Sequence, residues 1–226
     1  NNSFQEPITN NEEIIEVDLS KSPLLRECEH FIECCKERKT PLTAGEEGLR
    51  VLKVLDYLQQ SLDNNKEIII GGSTSINLYV LSNALKYLLK PGDEVIVTNQ
   101  DHEANISPWR RLSEVGAVIK EWKINPETAE LEIETFKDLL TDKTRIVAVT
   151  HCSNIVGTVN NLKKISDLAH AKNAFVIGDG VSYAPHGFPN VKDLDVDFYT
   201  FSLYKTYGPH LALLYGKKEI LKNLPN

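Results

Sequence analysis

Short apolar runs alternate with longer stretches that repeat apolar residues at helical spacing. From Lys66 onward, seven compact runs stand out, at 67–70, 94–98, 118–122, 145–150, 174–177, 197–201 and 211–215. Brief runs rich in Val, Ile, Leu and aromatic residues predict buried strands. Helical periodicity fills 75–90, 105–115, 132–140 and 161–171, and the first of these stops at Pro91-Gly92. Short strands joined by helices predict a mainly parallel sheet with right-handed crossovers and helices on both faces. The expected fold class is three-layer α/β with a seven-stranded sheet.

Before residue 66 the pattern changes. Residues 12–19 predict one strand with imperfect alternation. Ser22-Pro23 reads as a helix start, and Leu25, Cys28, Phe31, Ile32 and Cys35 follow at helical spacing. Thr43 and Glu46 form a capping box ahead of a second amphipathic helix through Leu49, Leu52, Val54, Leu55 and Leu58. Residues 1–65 are thus expected to form a small α+β appendage of one strand and two helices. Residues 66–226 form the large domain.

Composition narrows the function. The chain has 226 residues, a net charge of −7 and 41% hydrophobic residues, enough for a sizeable core. No basic stripe stands out, which argues against a nucleic-acid partner. No apolar run approaches the length of a membrane span, and the N-terminus lacks a basic-then-apolar signal pattern. Cys28, Cys34, Cys35 and Cys152 lack the paired spacing of a zinc site, and no metal site is expected. A reduced cytoplasmic protein is the expectation. Cys34-Cys35 admits a redox reading, against the plainer one of packing or surface thiols.

In parallel sheets ligands bind beyond the carboxyl ends of the strands, so the residues just after each run carry the chemistry. Gly71-Gly72-Ser73-Thr74 opens a helix with small residues and two hydroxyls, a phosphate cradle or simply a glycine turn. Its spacing is not the dinucleotide fingerprint. His102 follows the second strand, placed to stack on an aromatic cofactor or shuttle protons, or simply to sit on a loop surface. Asn154 follows the fourth and offers an amide to a ligand oxygen or forms a turn. Asp179 follows the fifth, as a ligand carboxylate or a helix N-cap. Lys205 follows the sixth, where packing alone hardly accounts for it. One lysine and one aspartate at neighbouring strand ends is what a pyridoxal 5′-phosphate site requires: the amine forms the Schiff base and the carboxylate pairs with the ring nitrogen.

Four ordered motifs strengthen that reading. They are Asp101-His102-Glu103-Ala104-Asn105-Ile106-Ser107-Pro108-Trp109, Thr150-His151-Cys152-Ser153-Asn154-Ile155-Val156-Gly157-Thr158, Asp179-Gly180 with Tyr183-Ala184-Pro185-His186, and Ser202-Leu203-Tyr204-Lys205 with Tyr207-Gly208-Pro209-His210. Over about residues 67–226 the chain resembles the class V aminotransferase superfamily of fold type I pyridoxal-phosphate enzymes, most closely its cysteine desulfurase-like group. The resemblance implies that Lys205 forms the internal aldimine and later moves the substrate Cα proton. It implies that Asp179 keeps the pyridine nitrogen protonated, His102 stacks on the ring, and Asn154 bonds the phenolic oxygen. Ser202, Gly72, Ser73 and Thr74 are then expected to hold the phosphate. Ser182 stands where many desulfurases have Gln, a departure from true cysteine desulfurisation. Tyr204 stands where they have His, and its hydroxyl can still donate to phosphate.

The expected function is therefore a pyridoxal-phosphate-dependent transferase or lyase acting on an amino acid through a Lys205 aldimine, as a homodimer. The family's C-terminal small domain, which brings the substrate-carboxylate Arg, is expected to be absent from this chain. The alternative is a fused or truncated remnant of the fold that holds cofactor or a partner without turnover. Residues 28–34 and 41–55 resemble the C-terminal end of glucose–fructose oxidoreductase-like, NAD-dependent sugar dehydrogenases, over roughly 6–65. That stretch includes neither the nucleotide-binding strand nor the catalytic motifs of those enzymes, and the missing glycine fingerprint opposes a dehydrogenase. A junction between two enzyme fragments is expected near 64–67.

Overall fold

The computed structural model describes residues 23–39 and 68–224. The expected strand at 12–19, the second N-terminal helix, and the 65/66 boundary lie outside the described residues. Contacts divide the chain into two compact units that part between Gly48 and Leu49. Helix α1, Pro23–Glu37, is the described element of the first and begins at the proline that the sequence marks.

In the second unit the strands are β1 (Ile68–Gly71), β2 (Glu94–Thr98), β3 (Val118–Trp122), β4 (Thr144–Thr150), β5 (Phe175–Asp179), β6 (Phe198–Ser202) and β7 (Ala212–Gly216). They form one sheet in the order β1-β7-β6-β5-β4-β2-β3. The expected three-layer α/β architecture with a mainly parallel seven-stranded sheet is present. β7 runs antiparallel to both β6 and β1. Periodicity does not assign that direction. Its physical reason is the short link from β6, because a parallel return needs a crossover of a dozen or more residues.

The helices in this unit are α2 (Thr74–Leu85), α3 (Ser107–Arg110), α4 (Ile133–Leu139), α5 (Leu162–His170), α6 (Val191–Leu194) and α7 (Lys218–Leu221). Alternation along the strands sorts the core into two faces. Val176 and Tyr199 pack with Trp122, Phe136, Leu162 and Ile165, under α4 and α5. Their neighbours Ile177 and Phe198 pack with Leu78, Leu85 and Trp109, under α2 and α3. All five residues of β2, β6 and β7 are buried, as strands covered on both sides must be.

Two expected helices are shorter or broken. The helix expected over 75–90 ends at Leu85 and continues as a tighter 3₁₀ turn, Lys86–Leu88. The helix expected over 105–115 splits into a 3₁₀ turn at Glu103–Asn105, α3, and a second turn at Arg111–Val115. Pro108 removes one backbone donor and disfavours helical geometry at the residue before it. Gly116 closes the segment in the left-handed conformation, φ 88°.

Candidate active site

Five chain segments reach one pocket at the carboxyl ends of the parallel strands. The start of α2 brings Ser73, Thr74 and Ser75; the turn after β2 brings His102; the loop after β4 brings Asn154; the end of β5 brings Asp179 and Ser182. The end of β6 brings Ser202, Tyr204 and Lys205. The structure thus gathers every residue that the sequence singled out for the site except Gly72. Gly72 is open, and an added Cβ would meet only Ile76 Cδ1, at 3.7 Å. The glycine that space demands is its neighbour: a Cβ on Gly71 would lie 1.8 Å from Asn77 Oδ1.

The start of α2 presents hydroxyls beside a helix N-terminus. Ser73 caps the helix, its Oγ accepting the Ile76 backbone N–H at 3.2 Å. Thr74 and Ser202 share a hydrogen bond between their hydroxyls of 2.8 Å, which ties this helix end to β6. Four hydroxyls, of Ser73, Thr74, Ser75 and Ser202, therefore border the positive end of a twelve-residue helix.

Asp179 is the last residue of β5 and is only 4% exposed. Its Oδ1 accepts the Val181 backbone N–H at 2.8 Å. Among the described residues its Oδ2 makes no hydrogen bond. The N-cap-like turn weighed in the sequence thus occupies one oxygen of the carboxylate and leaves the other open. Burial pushes its pKa up to about 6, against the pull of the Val181 amide and of nearby His102 and Lys205. Lys205 lies in the 3₁₀ turn Leu203–Thr206, just past β6. Among the described residues it has no ion-pair partner.

His102 starts its own turn, and its Nδ1 accepts the Ala104 N–H at 3.1 Å. The neutral ring then carries its proton on Nε2. Asn154 sits in a tight turn whose amides at Ile155 and Val156 bond Ser153 Oγ, and Gly157 completes it at φ 72°. Asn154 thus both sits in the turn and lines the pocket.

The sequence alone gives His210 and Thr150 no role, yet both line the pocket. His210 stacks on Tyr204 with ring centroids 4.9 Å apart and planes within 8°. Its place after Gly208-Pro209, where β7 must turn back to β6, was the available signal. Behind Asp179, His151 donates its backbone N–H to the Asp179 carbonyl at 2.7 Å and stacks on Tyr183 at 3.6 Å. Its Nδ1 bonds the Tyr199 hydroxyl at 2.8 Å, and burial holds its pKa down at about 4. Burial also raises the Cys152 thiol. A wider cleft along 121–139 holds none of these residues.

The donor set fits pyridoxal 5′-phosphate. A buried carboxylate presents one unclaimed oxygen, an amine stands at the neighbouring strand end, and hydroxyls ring a helix N-terminus. Among the described residues no group of His, Cys, Asp and Glu is placed to hold a metal ion, and no helix is long and apolar enough to cross a membrane.

Comparison with known proteins places the chain. It is 50% identical over 165 residues to the aminotransferase-like protein FGM3 of Gibberella zeae, covering 72% of this chain and 40% of that protein. It is 37% identical over 175 residues to a cysteine desulfurase of Yersinia pestis, covering 76% and 43%. The crystal structure of the Escherichia coli cysteine desulfurase CsdA superposes with a TM-score of 0.69 at 30% identity, covering 80% of this chain and 46% of that one. The chain thus spans less than half the length of each of these relatives. The family match starts at residue 57, inside the stretch read as similar to a dehydrogenase tail. Over residues 57–226, by sequence and by fold alike, the chain belongs to the aminotransferase class-V family.

Proposed function

We propose that this chain binds pyridoxal 5′-phosphate through Lys205 and serves an enzyme that acts on an amino acid. The observation that carries the proposal is that Lys205 and Asp179 line one pocket, close enough for the lysine charge to act on the carboxylate. Members of the family use this cofactor.

When bound, the cofactor supplies an electron sink for the charge left on the substrate Cα. The chain's own residues do the rest. Lys205 Nζ is the covalent anchor and, once freed, the base for the Cα proton. Asp179 Oδ2 keeps the ring nitrogen protonated, and that partner in turn favours the ionised carboxylate. His102 covers one face of the ring. Asn154 donates its amide to the phenolic oxygen. Ser73, Thr74 and Ser202 hold the phosphate, and Tyr204 and Ser182 complete the wall. The four cysteines are free, which fits a reducing compartment such as the cytoplasm. A homodimer is the expected assembly.

Titration with pyridoxal 5′-phosphate tests this. The expected result is a saturable visible absorbance band, changed by an amino-acid substrate. A protein that stays colourless at saturating cofactor overturns the proposal.

A further inference from the structure

His102 stands between two side-chain anchors, and both grip the residue before it. Asp101 is 7% exposed and does not line the pocket. Its Oδ2 accepts the Thr98 hydroxyl at the end of β2. Its Oδ1 accepts Asn105 Nδ2 at 2.8 Å, beyond His102. Asn105 Oδ1 in turn accepts Trp109 Nε1 at 3.0 Å, and both of those side chains are fully buried. The Asn105 backbone N–H closes the turn on the His102 carbonyl at 2.8 Å. One carboxylate thus links the strand before the imidazole to the helix after it.

We propose that Asp101 is a positioning residue for His102: its carboxylate fixes the turn that presents the imidazole to the pocket, and so to bound pyridoxal 5′-phosphate. The last step rests on the function proposed above. Donor and acceptor accounting says why a carboxylate is needed. Thr98 Oγ1 already accepts the backbone N–H groups of Gln100 and Asp101, each at 3.1 Å. Its remaining proton must be donated, and Asp101 Oδ2 receives it. An asparagine at 101 satisfies Asn105 with its carbonyl but turns an NH₂ toward that proton. A charge buried this deeply is costly unless hydrogen-bonded, so it is a poor choice for packing alone.

The test compares Asp101→Asn, Thr98→Val and Thr98→Ser. The first readout is ¹⁵N NMR of the His102 imidazole in the cofactor-free protein, assigned with His102→Gln. The second is cofactor affinity followed by visible circular dichroism. Wild type and Thr98→Ser are expected to show the single Nε2–H tautomer. Both Asp101→Asn and Thr98→Val are expected to show an averaged ring. Asp101→Asn, with one unsatisfied buried group, should bind cofactor about tenfold more weakly, and Thr98→Val, which also strips the Gln100 and Asp101 amides of their acceptor, at least as weakly. Wild-type tautomer signals and affinity in both disruptive variants overturn the proposal. If Asp101→Asn fails to fold, Thr98→Val decides. If wild type binds no cofactor, the functional reading fails, and the imidazole spectra still decide whether Asp101 positions His102.

Discussion

At the amino ends of the parallel strands, Asp197 accepts from His170 at 2.8 Å and from Lys217 at 3.0 Å, and Asp195 accepts from Lys217 at 2.7 Å. Glu94, at the start of β2, pairs with Lys120 at 2.7 Å and also takes the Thr141 and Thr144 hydroxyls. At the carboxyl ends, among the described residues, Asp179 and Asp101 are buried with no ion-pair partner and Lys205 stands unpaired. The same sheet thus neutralises charge at one edge and leaves it unneutralised at the other. Unpaired buried charge destabilises a fold, and it persists where a ligand completes it. The two edges differ in how their charges are met within one layer of strands.

Lys205 carries the largest expected effect. Lys205→Ala is expected to abolish the visible band formed with pyridoxal 5′-phosphate while leaving thermal melting of the cofactor-free protein unchanged. An unchanged band would assign the amine elsewhere.

Asp179→Asn comes next. Folding raises this carboxyl from 3.8 to about 6, so the folded state holds the proton more tightly. Its contribution is present at low pH and is lost as pH rises from about 4 through about 6. Above that window the variant should be more stable than wild type by up to about 3 kcal/mol, while cofactor binding weakens. Denaturant melts across pH, with parallel cofactor titrations, read both effects. Asp101 is raised further, to about 7, by burial and by the Asp179 charge, and it keeps a residual slope in the variant.

Gly180→Ala tests backbone crowding at the same edge. A Cβ there would lie 2.1 Å from the Tyr199 hydroxyl, which bonds His151. A loss of about 1–3 kcal/mol is expected by chemical denaturation.

The paired edge should respond least. Asp197 holds the His170 pKa above its usual value. That contribution is complete below pH 6.5 and fades as pH rises through the raised folded value. His170→Asn should therefore cost under about 1 kcal/mol at pH 5, and less at pH 9, by the same denaturant measurement.

Much of this arrangement is legible in the residues alone. Buried strands announce themselves as dense apolar runs, and all seven fall within two residues of their expected ends. The residues just past each strand are an equally local signal, so Ser73, His102, Asn154, Asp179 and Lys205 could be read off strand ends. Less legible is whatever depends on three-dimensional closure. The direction of β7 follows from link length, not periodicity, and the break at Pro108 from a single missing donor. His210 reaches the pocket only because β7 folds back beside β6. The Thr98–Asp101–Asn105–Trp109 network spans spacings of three and four residues, which in a sequence look like ordinary helical periodicity. The choice between Gly71 and Gly72 depends on where the Asn77 side chain lies.

Whether Lys205 anchors the cofactor is read by reducing the pyridoxal-phosphate-loaded protein with borohydride and mapping the added mass by peptide mass spectrometry. A single modified peptide carrying the adduct on Lys205 is expected. An adduct on another lysine, or none at saturating cofactor, would contradict it.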